Sequence, residues 1–130
     1  MSKIVLLEDD LPMASLILKF LKATGFSNIH HYKHSDEVPA LHHLELPDLF
    51  IMDNDAPETG SGQKKIEEIR AKHPDANFVM FTGRNEPDII AWATERDIRL
   101  LKKPDDLAAL VQLVQELNTA LTAKAIPAQR

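Results

Sequence analysis

Short apolar runs of strand length alternate along this chain with segments in which apolar residues recur at helical spacing. Apolar runs bounded by polar residues are typical of strands that are buried on both faces of a sheet. Strands that alternate with helices form a parallel sheet with crossover helices on its two faces. The pattern therefore predicts an α/β fold, a doubly wound five-stranded parallel sheet with five helices. The predicted strands are residues 4–7, 29–32, 49–52, 78–81 and 98–101.

Capping residues and periodic apolar residues mark several of the predicted helices. Gly25 follows the first helix, where a glycine suits the left-handed position at a helix C-terminus. Ser35 or Asp36 would be the N-cap of a second helix with Pro39 in its first turn. The last helix, about residues 105–121, carries apolar residues on a single face, and we expect this face to pack against the core.

Length and charge restrict the number of domains and the classes of partner. The 130 residues are 44% hydrophobic, so we predict one domain with its own core over residues 1–122 and a short tail over 123–130. A net charge of -5 disfavours nucleic acid and anionic membrane surfaces as direct partners. The chain has no cysteine, and none of its apolar stretches approaches the roughly 20 residues of a transmembrane helix. A cytoplasmic protein is therefore predicted.

Acidic side chains follow two of the predicted strands. Glu8, Asp9 and Asp10 come directly after the first strand, and Asp53 follows the third. The carboxyl ends of parallel strands share one edge of a sheet, so these side chains are expected to lie close together. Two carboxylates about 4 Å apart repel by about 4 kcal/mol at an effective dielectric constant near 20, and such a cluster therefore requires a cation or protons. Mg²⁺, or Mn²⁺ in its place, is the predicted ligand because it prefers oxygen donors.

Histidine, tryptophan and lysine side chains elsewhere are expected to be structural or solvent-facing. His30 and His31 are adjacent in a predicted strand, where neighbouring side chains point to opposite faces, so surface positions are favoured over a metal site. Trp92 is predicted to be partly buried or to belong to a docking surface. Lys102 is predicted to face solvent by strand alternation.

Taken together, the motifs resemble the receiver domains of two-component response regulators over essentially the whole chain. The matching segments are Leu6-Leu7-Glu8-Asp9-Asp10, residues 47–53 with Pro57, Phe81-Thr82-Gly83, and Leu101-Lys102-Lys103-Pro104. Each motif is weak by itself, but their order and spacing are specific. The resemblance implies a CheY-like, flavodoxin-like fold with strand order 2-1-3-4-5, acting as a stand-alone receiver.

The resemblance also implies an aspartyl-phosphate switch. Asp53 would be the phosphoacceptor, attacking a phosphoryl group supplied by a sensor histidine kinase, a phosphotransfer protein or a small phosphodonor. Lys103 and Thr82 would contact the phosphoryl oxygens and stabilise the transferring charge. Such a protein catalyses only its own phosphotransfer and autodephosphorylation, and is not an enzyme acting on other substrates.

The same resemblance implies a metal site and an output through another protein. Asp9 and Asp53 would bind Mg²⁺ directly, the backbone carbonyl of Asp55 would be a further ligand, and Glu8 would hold a metal-bound water. The chain is expected to act on a downstream protein target as a monomer or weak dimer. Asp55 and Arg84 stand where side chains tune dephosphorylation in similar proteins, so we hypothesise an altered phosphoryl lifetime.

Four positions depart from the pattern of the family. Leu100 stands where most receivers carry a tyrosine or phenylalanine, three residues before the lysine. Ser61 replaces the glycine expected eight residues after the phosphoacceptor, although Gly60 and Gly62 flank it, and Arg96-Asp97 replaces the common Gly-Ala. These changes affect the expected output mechanism more than the phosphorylation site.

Two other functions are compatible with parts of the sequence. A degenerate receiver could act as a phosphorylation-independent interaction module, which Leu100 favours and the retained acids, threonine and lysine oppose. The segment Asp53-Asn54-Asp55 also matches the DxD motif of phosphohydrolases of the haloacid dehalogenase type. In those enzymes the motif normally follows the first strand, whereas here two strand-helix units precede it.

Overall fold

The computed structural model describes residues 3–38, 49–54, 60–83, 87–103 and 105–125. The strands are β1 (Ile4–Leu7), β2 (Ile29–Tyr32), β3 (Leu49–Met52), β4 (Phe78–Thr82) and β5 (Arg99–Lys102). The described helices are α1 (Leu11–Ala23), α2 (Ser61–Lys72), α3 (Pro87–Glu95) and α4 (Leu107–Ala125), with one 3-10 turn at Ser35–Glu37. No helix in the described ranges is long and apolar enough to cross a membrane.

The five strands form one parallel sheet in the order β2-β1-β3-β4-β5. This confirms both the predicted α/β architecture and the predicted order of the strands. The first three strands have the predicted bounds, whereas β5 begins and ends one residue later than predicted. Ile98 does not begin β5, because its amide donates to Ala93 O at 2.9 Å and closes helix α3 instead.

Strand alternation divides the core between the two faces of the sheet. One face carries Phe50 and Met52 against Ile66 of α2 and Ile89 of α3. The opposite face is packed by helices α1 and α4, and its buried residues include Ile4, Leu6, Ile17, Leu21, Ile51, Val79, Phe81, Leu110 and Val114. Burying each large aliphatic or aromatic side chain stabilises the fold by about 1.5–3 kcal/mol, so both faces contribute to the core.

Four α-helices are described rather than the predicted five. The predicted helix after β2 lies mostly in residues 39–48, outside the described residues, and the preceding segment forms the 3-10 turn at Ser35–Glu37. Helix α4 continues to Ala125, past the predicted end at residue 121. The added turn contains alanine and lysine, which are good helix formers.

Helix α1 is followed by Gly25 in the left-handed conformation that the sequence predicted. Gly25 has a φ of 103°, in the left-handed region, and its amide donates to Lys22 O at 3.1 Å. Phe26 N then donates to Leu21 O at 3.0 Å, which completes a Schellman motif. At the other end of the helix, Asp10 is the N-cap and accepts a hydrogen bond from Met13 N at 3.3 Å.

Helix α3 ends in the same motif, but with an aspartate at the left-handed position. Asp97 has a φ of 55° and donates through its amide to Thr94 O at 3.1 Å, while Ile98 N reaches Ala93 O. An L-residue in this conformation is strained by about 1–2 kcal/mol, although aspartate tolerates it better than most. The left-handed conformation of Asp97 therefore has a cost in stability relative to a glycine at the same position.

Replacing Asp97 with glycine is expected to raise the free energy of unfolding by about 0.5–1 kcal/mol, because glycine relieves the strain of the left-handed conformation. This gain exceeds the greater conformational entropy that a glycine loses on folding. Urea unfolding followed by circular dichroism would measure the difference. Asp97→Ala is the matched control and is expected to lower stability, since alanine tolerates positive φ less well than aspartate. Equal stability of the two variants would contradict the strain argument.

Candidate functional site

Three carboxylates converge where β1 and β3 end. Leu7 lies opposite Met52 in the parallel pairing, so the residues that follow them, Glu8 and Asp53, emerge side by side. Asp53 N donates to Leu7 O at 3.0 Å and holds the two strand ends together. One carboxylate oxygen from each of Glu8, Asp9 and Asp53 lies within 4.8 Å of the other two.

Burial makes this cluster electrostatically costly. Glu8 is 1% exposed and Asp53 is 3% exposed, whereas Asp9 is exposed. Carboxylates at this separation repel each other, and the repulsion is stronger away from bulk water. The arrangement therefore depends on nearby positive charge.

Lys103, immediately after β5, supplies one such charge. Its Nζ lies 2.5 Å from Glu8 Oε1 and 3.2 Å from Asp53 Oδ2. Burial alone would lower the pKa of Lys103, but the hydrogen bond to Glu8 and the negative charges of Asp53 and Glu8 outweigh it and raise the pKa above its usual value. Lys103 is therefore protonated at neutral pH. The neighbouring side chain of Lys102 is exposed to solvent, as strand alternation predicted.

Thr82 ends β4 at the same edge of the sheet and is fully buried. Its carbonyl accepts a hydrogen bond from Lys103 N at 2.9 Å, which ties the ends of β4 and β5 together. The sheet thus brings Glu8, Asp9, Asp53, Thr82 and Lys103 to one edge. The predicted metal ligand Asp55, together with Arg84 and Pro104, lies outside the described residues.

Residues 4–115 of the chain match the family model of the response regulator receiver domain. The chain belongs to this family. The match covers all five strands and the first half of α4, so it includes every strand whose end contributes a side chain to the acidic edge. A comparison with curated proteins found no match.

Several solved structures, receiver domains among them, share the fold of this chain. The N-terminal domain of an uncharacterized protein from Wolinella succinogenes superposes with a TM-score of 0.80 at 22% identity, covering 95% of this chain and 99% of that one. A CheY-like receiver domain protein from Methanospirillum hungatei gives 0.79 at 18% identity, covering 95% and 98%. The BeF3-activated receiver domain of DrrB, from Thermotoga maritima, gives 0.75 at 17% identity, covering 92% and 98%.

The donor set of this receiver domain fits Mg²⁺. Glu8, Asp9 and Asp53 offer hard carboxylate oxygens close enough to bind one ion, and the two buried carboxylates share the ammonium of Lys103. Formally, these four side chains carry two more negative charges than positive ones. A divalent cation would balance that charge.

Asn54 was not singled out from the sequence, yet it joins the backbone that follows strand β3 to helix α2. Its side chain is fully buried, accepts a hydrogen bond from Gln63 N at 3.0 Å and donates to Gln63 Oε1 at 3.1 Å. Its carbonyl accepts from Gly62 N at 3.2 Å. Capping of this kind orients the backbone of the adjacent Asp53.

Gly62 makes the close backbone approach to this strand. A Cβ on Gly62 would lie 2.8 Å from Asn54 Cα and 3.0 Å from the carbonyl carbon of Asp53, closer than real Cβ atoms come. Ser61, one residue earlier, instead directs its hydroxyl to Asn54 O at 3.4 Å. The replacement of the expected glycine by Ser61 is thus accompanied by a glycine one position later.

Leu100, in place of the aromatic residue common in receiver domains, is half-buried on β5 opposite Met80. It borders an open surface cavity of ≈ 350 Å³ whose lining includes Ile90, Ala93 and Ile98. The surface between α3 and β5 therefore has an open depression beside Leu100, lined by these apolar side chains and by the polar residues Thr94, Lys102 and Asp106.

The tryptophan predicted to be partly buried or to belong to a docking surface is half-buried and joins α3 to α2. Trp92 Nε1 donates to Glu67 Oε1 at 3.1 Å, and Arg96 Nη2 lies 3.0 Å from the same oxygen. The guanidinium of Arg96 also stacks 4.5 Å from the centre of the Trp92 ring. Arg96, which replaces a common glycine, thus links two helices.

Arg96→Ala is expected to lower the free energy of unfolding by about 1 kcal/mol, because it removes both the cation-π contact and the ion pair with Glu67. Urea unfolding would measure the loss. Arg96→Lys is the comparison, and it should lose less because it keeps the charge while losing the planar stacking. An unchanged midpoint for Arg96→Ala would mean that solvent compensates for both contacts.

Proposed function

We propose that this receiver domain is phosphorylated on Asp53 in a Mg²⁺-dependent reaction, and that phosphorylation switches its binding to a partner protein. The supporting observation is the buried Asp53 carboxylate, paired with Lys103 at 3.2 Å inside the cluster with Glu8 and Asp9. A nucleophile, a cation and an anionic metal site are therefore held at one edge of the sheet.

Asp53 is the nucleophile in the proposed reaction. One of its carboxylate oxygens forms a bond to phosphorus while the bond from phosphorus to the donor's imidazole nitrogen, or to the oxygen of a small phosphodonor, breaks. The electron pair of the breaking bond leaves with the donor. Lys103 neutralises charge on the phosphoryl oxygens, and the Thr82 hydroxyl donates a hydrogen bond to one of them once the group is attached.

Glu8, Asp9 and Asp53 would hold Mg²⁺, together with the predicted ligand Asp55. The ion supplies charge neutralisation between the attacking carboxylate and the phosphoryl oxygens when it is bound. Glu8 would hold a metal-bound water, since its Oε1 is paired with Lys103 and its Oε2 already accepts from Asp10 N. Asp55 and Arg84 stay predicted modifiers of the phosphoryl lifetime.

The proposed partners are a sensor histidine kinase or phosphotransfer protein that donates the phosphoryl group, and a downstream protein target in the cytoplasm. Exposed apolar side chains on helix α1, which begins beside the acidic edge, are compatible with protein docking. Leu11 at the start of α1 is 51% exposed, and Leu16 and Phe20, one turn apart on the same helix, are 37% and 45% exposed. The chain would catalyse only its own phosphotransfer and autodephosphorylation, as a monomer or weak dimer.

Intact-mass measurement after incubation with acetyl phosphate and Mg²⁺ tests the proposal. We expect the gain of one phosphoryl group in the wild type, none in Asp53→Asn, and none when Mg²⁺ is chelated. Asp10→Asn is the matched control, because Asp10 caps α1 from outside the three-carboxylate cluster and asparagine caps equally well. A folded wild type that gains no phosphoryl group would instead support a phosphorylation-independent interaction module.

A further inference from the structure

The loop that carries Glu8 and Asp9 is held to strand β2 at two points. Glu8 N donates to Tyr32 O at 3.0 Å, as the next rung of the parallel ladder between β1 and β2. Glu8 O lies 2.8 Å from Nε2 of His31, a half-buried residue of β2. A carbonyl oxygen can only accept, so this ring nitrogen carries a hydrogen and donates it.

The histidine takes the place of a backbone donor. If the ladder continued in register, Glu8 would lie opposite Lys33 and its carbonyl would accept from the amide of His34. The amides of Lys33 and His34 instead donate to Glu37 Oε1 at 3.1 and 3.0 Å. The backbone of β2 turns away at this point, and the imidazole of His31 supplies the hydrogen bond that the ladder would have made.

The remaining polar atoms of Glu8 are also engaged. Its Oε2 accepts from Asp10 N at 3.1 Å, and its Oε1 is paired with Lys103. The His31 bond therefore completes a set that fixes both the peptide and the carboxylate of Glu8. Because Asp9 shares the peptide group whose carbonyl His31 holds, the same bond restricts the direction in which Asp9 leaves the strand.

We propose that His31 is a positioning residue of the metal site, which fixes the Glu8–Asp9 peptide so that the two carboxylates are aimed at the cation before it binds. This inference rests on the proposed Mg²⁺-dependent function. Groups that orient metal ligands in this way typically change metal affinity by about 10- to 100-fold when they are removed. The role concerns metal affinity and leaves the attacking group, Asp53, unchanged.

Isothermal titration of the unphosphorylated protein with Mg²⁺ alone tests the role. We expect His31→Ala to weaken Mg²⁺ binding about tenfold. His31→Gln should bind like the wild type, because the glutamine amide can place a donor where Nε2 stands. His30→Ala is the matched control, since His30 is exposed and its ring contacts Asn28 Oδ1.

The rate of phosphorylation by acetyl phosphate gives a second readout. For His31→Ala, we expect the Mg²⁺ concentration at half-maximal rate to rise about tenfold, while the rate at saturating Mg²⁺ stays within about twofold of the wild type. Amide hydrogen exchange in Mg²⁺-free buffer should be faster at Asp9 and Asp10 in this variant. If His31→Ala does not fold, His31→Leu, which keeps apolar bulk without a donor, replaces it.

The outcomes separate this inference from the proposed function. A wild type that binds no Mg²⁺ and accepts no phosphoryl group would overturn both. A wild type that does both, beside a His31→Ala variant with unchanged Mg²⁺ affinity, would overturn the positioning role alone. Binding by His31→Gln as weak as that of His31→Ala would also overturn it, because ring packing rather than the donated hydrogen bond would then be responsible.

Discussion

Replacing Lys103 with methionine is expected to slow the proposed phosphorylation of Asp53 about 100-fold, the effect of removing one preorganised donor that stabilises transition-state charge. Methionine keeps much of the side chain's bulk but removes the ammonium that lies 3.2 Å from Asp53 Oδ2. The rate is measured with acetyl phosphate at saturating Mg²⁺. Lys102→Met is the matched control, because Lys102 is adjacent in sequence and exposed.

The same substitution is expected to destabilise the metal-free fold by about 3 kcal/mol at neutral pH, the cost of removing one partner from a buried ion pair. Glu8 and Asp53 would keep their nearly buried carboxylates without the ammonium that contacts both. Added Mg²⁺ should restore part of the loss, whereas Lys102→Met should match the wild type with and without the ion. Equal stability of both variants in chelator would contradict this electrostatic account.

The pH dependence of this contribution follows from the raised pKa of Lys103. A group with a higher pKa in the folded than in the unfolded state stabilises the fold fully below the unfolded value, about 10.4 for lysine. The stabilisation is then lost as pH rises through the folded value. The destabilisation of Lys103→Met relative to the wild type should therefore be constant near neutral pH and shrink in strongly alkaline solution.

Gly62→Ala is expected to lower the free energy of unfolding by about 3 kcal/mol, at the upper end of the usual cost of overpacking. The new methyl group would meet the backbone of Asp53 and Asn54, with Asn54 Cα only 2.8 Å away, and backbone cannot rotate aside as a side chain can. Either α2 or the end of β3 must shift. Urea unfolding measures the loss, and phosphorylation should slow because Asp53 moves with its backbone.

Alanine substitutions at two other glycines are controls that separate this steric clash from the general effect of replacing a glycine. Gly60 has a φ of 83° with Gln63 Oε1 3.8 Å from the added Cβ, so Gly60→Ala should cost about 1 kcal/mol through backbone strain alone. Gly83 has open space around its Cβ position, and Gly83→Ala should change stability by less than about 0.5 kcal/mol. A Gly62→Ala variant no less stable than Gly60→Ala would contradict the close approach.

Much of the fold was predictable because its signals are local. Strands β1, β2 and β3 match their predicted bounds, since each is a short segment bounded by polar or turn residues. Gly25 ends helix α1 in the predicted left-handed conformation. The end of helix α3 was less predictable, because an aspartate, Asp97, adopts the left-handed conformation there. A glycine at this position would have predicted the end of the helix.

The acidic edge was predictable for a related reason. Glu8, Asp9 and Asp53 each follow an apolar strand directly, and parallel strands bring their carboxyl ends together whatever the details of packing. The order of the strands was predicted from the resemblance to receiver domains. The sequence by itself determined the parallel strands, their two buried faces and the polar residues at their carboxyl ends. Local pattern and the geometry of parallel strands are sufficient for these features.

Only the tertiary structure decided which side chains support that edge. The bond from His31 to Glu8 depends on the register of β2 against β1, and the contact of Gly62 with Asn54 depends on how α2 returns to β3. Arg96 and Glu67 likewise meet only because α2 and α3 pack on the same face. These pairs are separated along the chain and follow no periodic pattern, so their partners are set by the relative placement of whole elements.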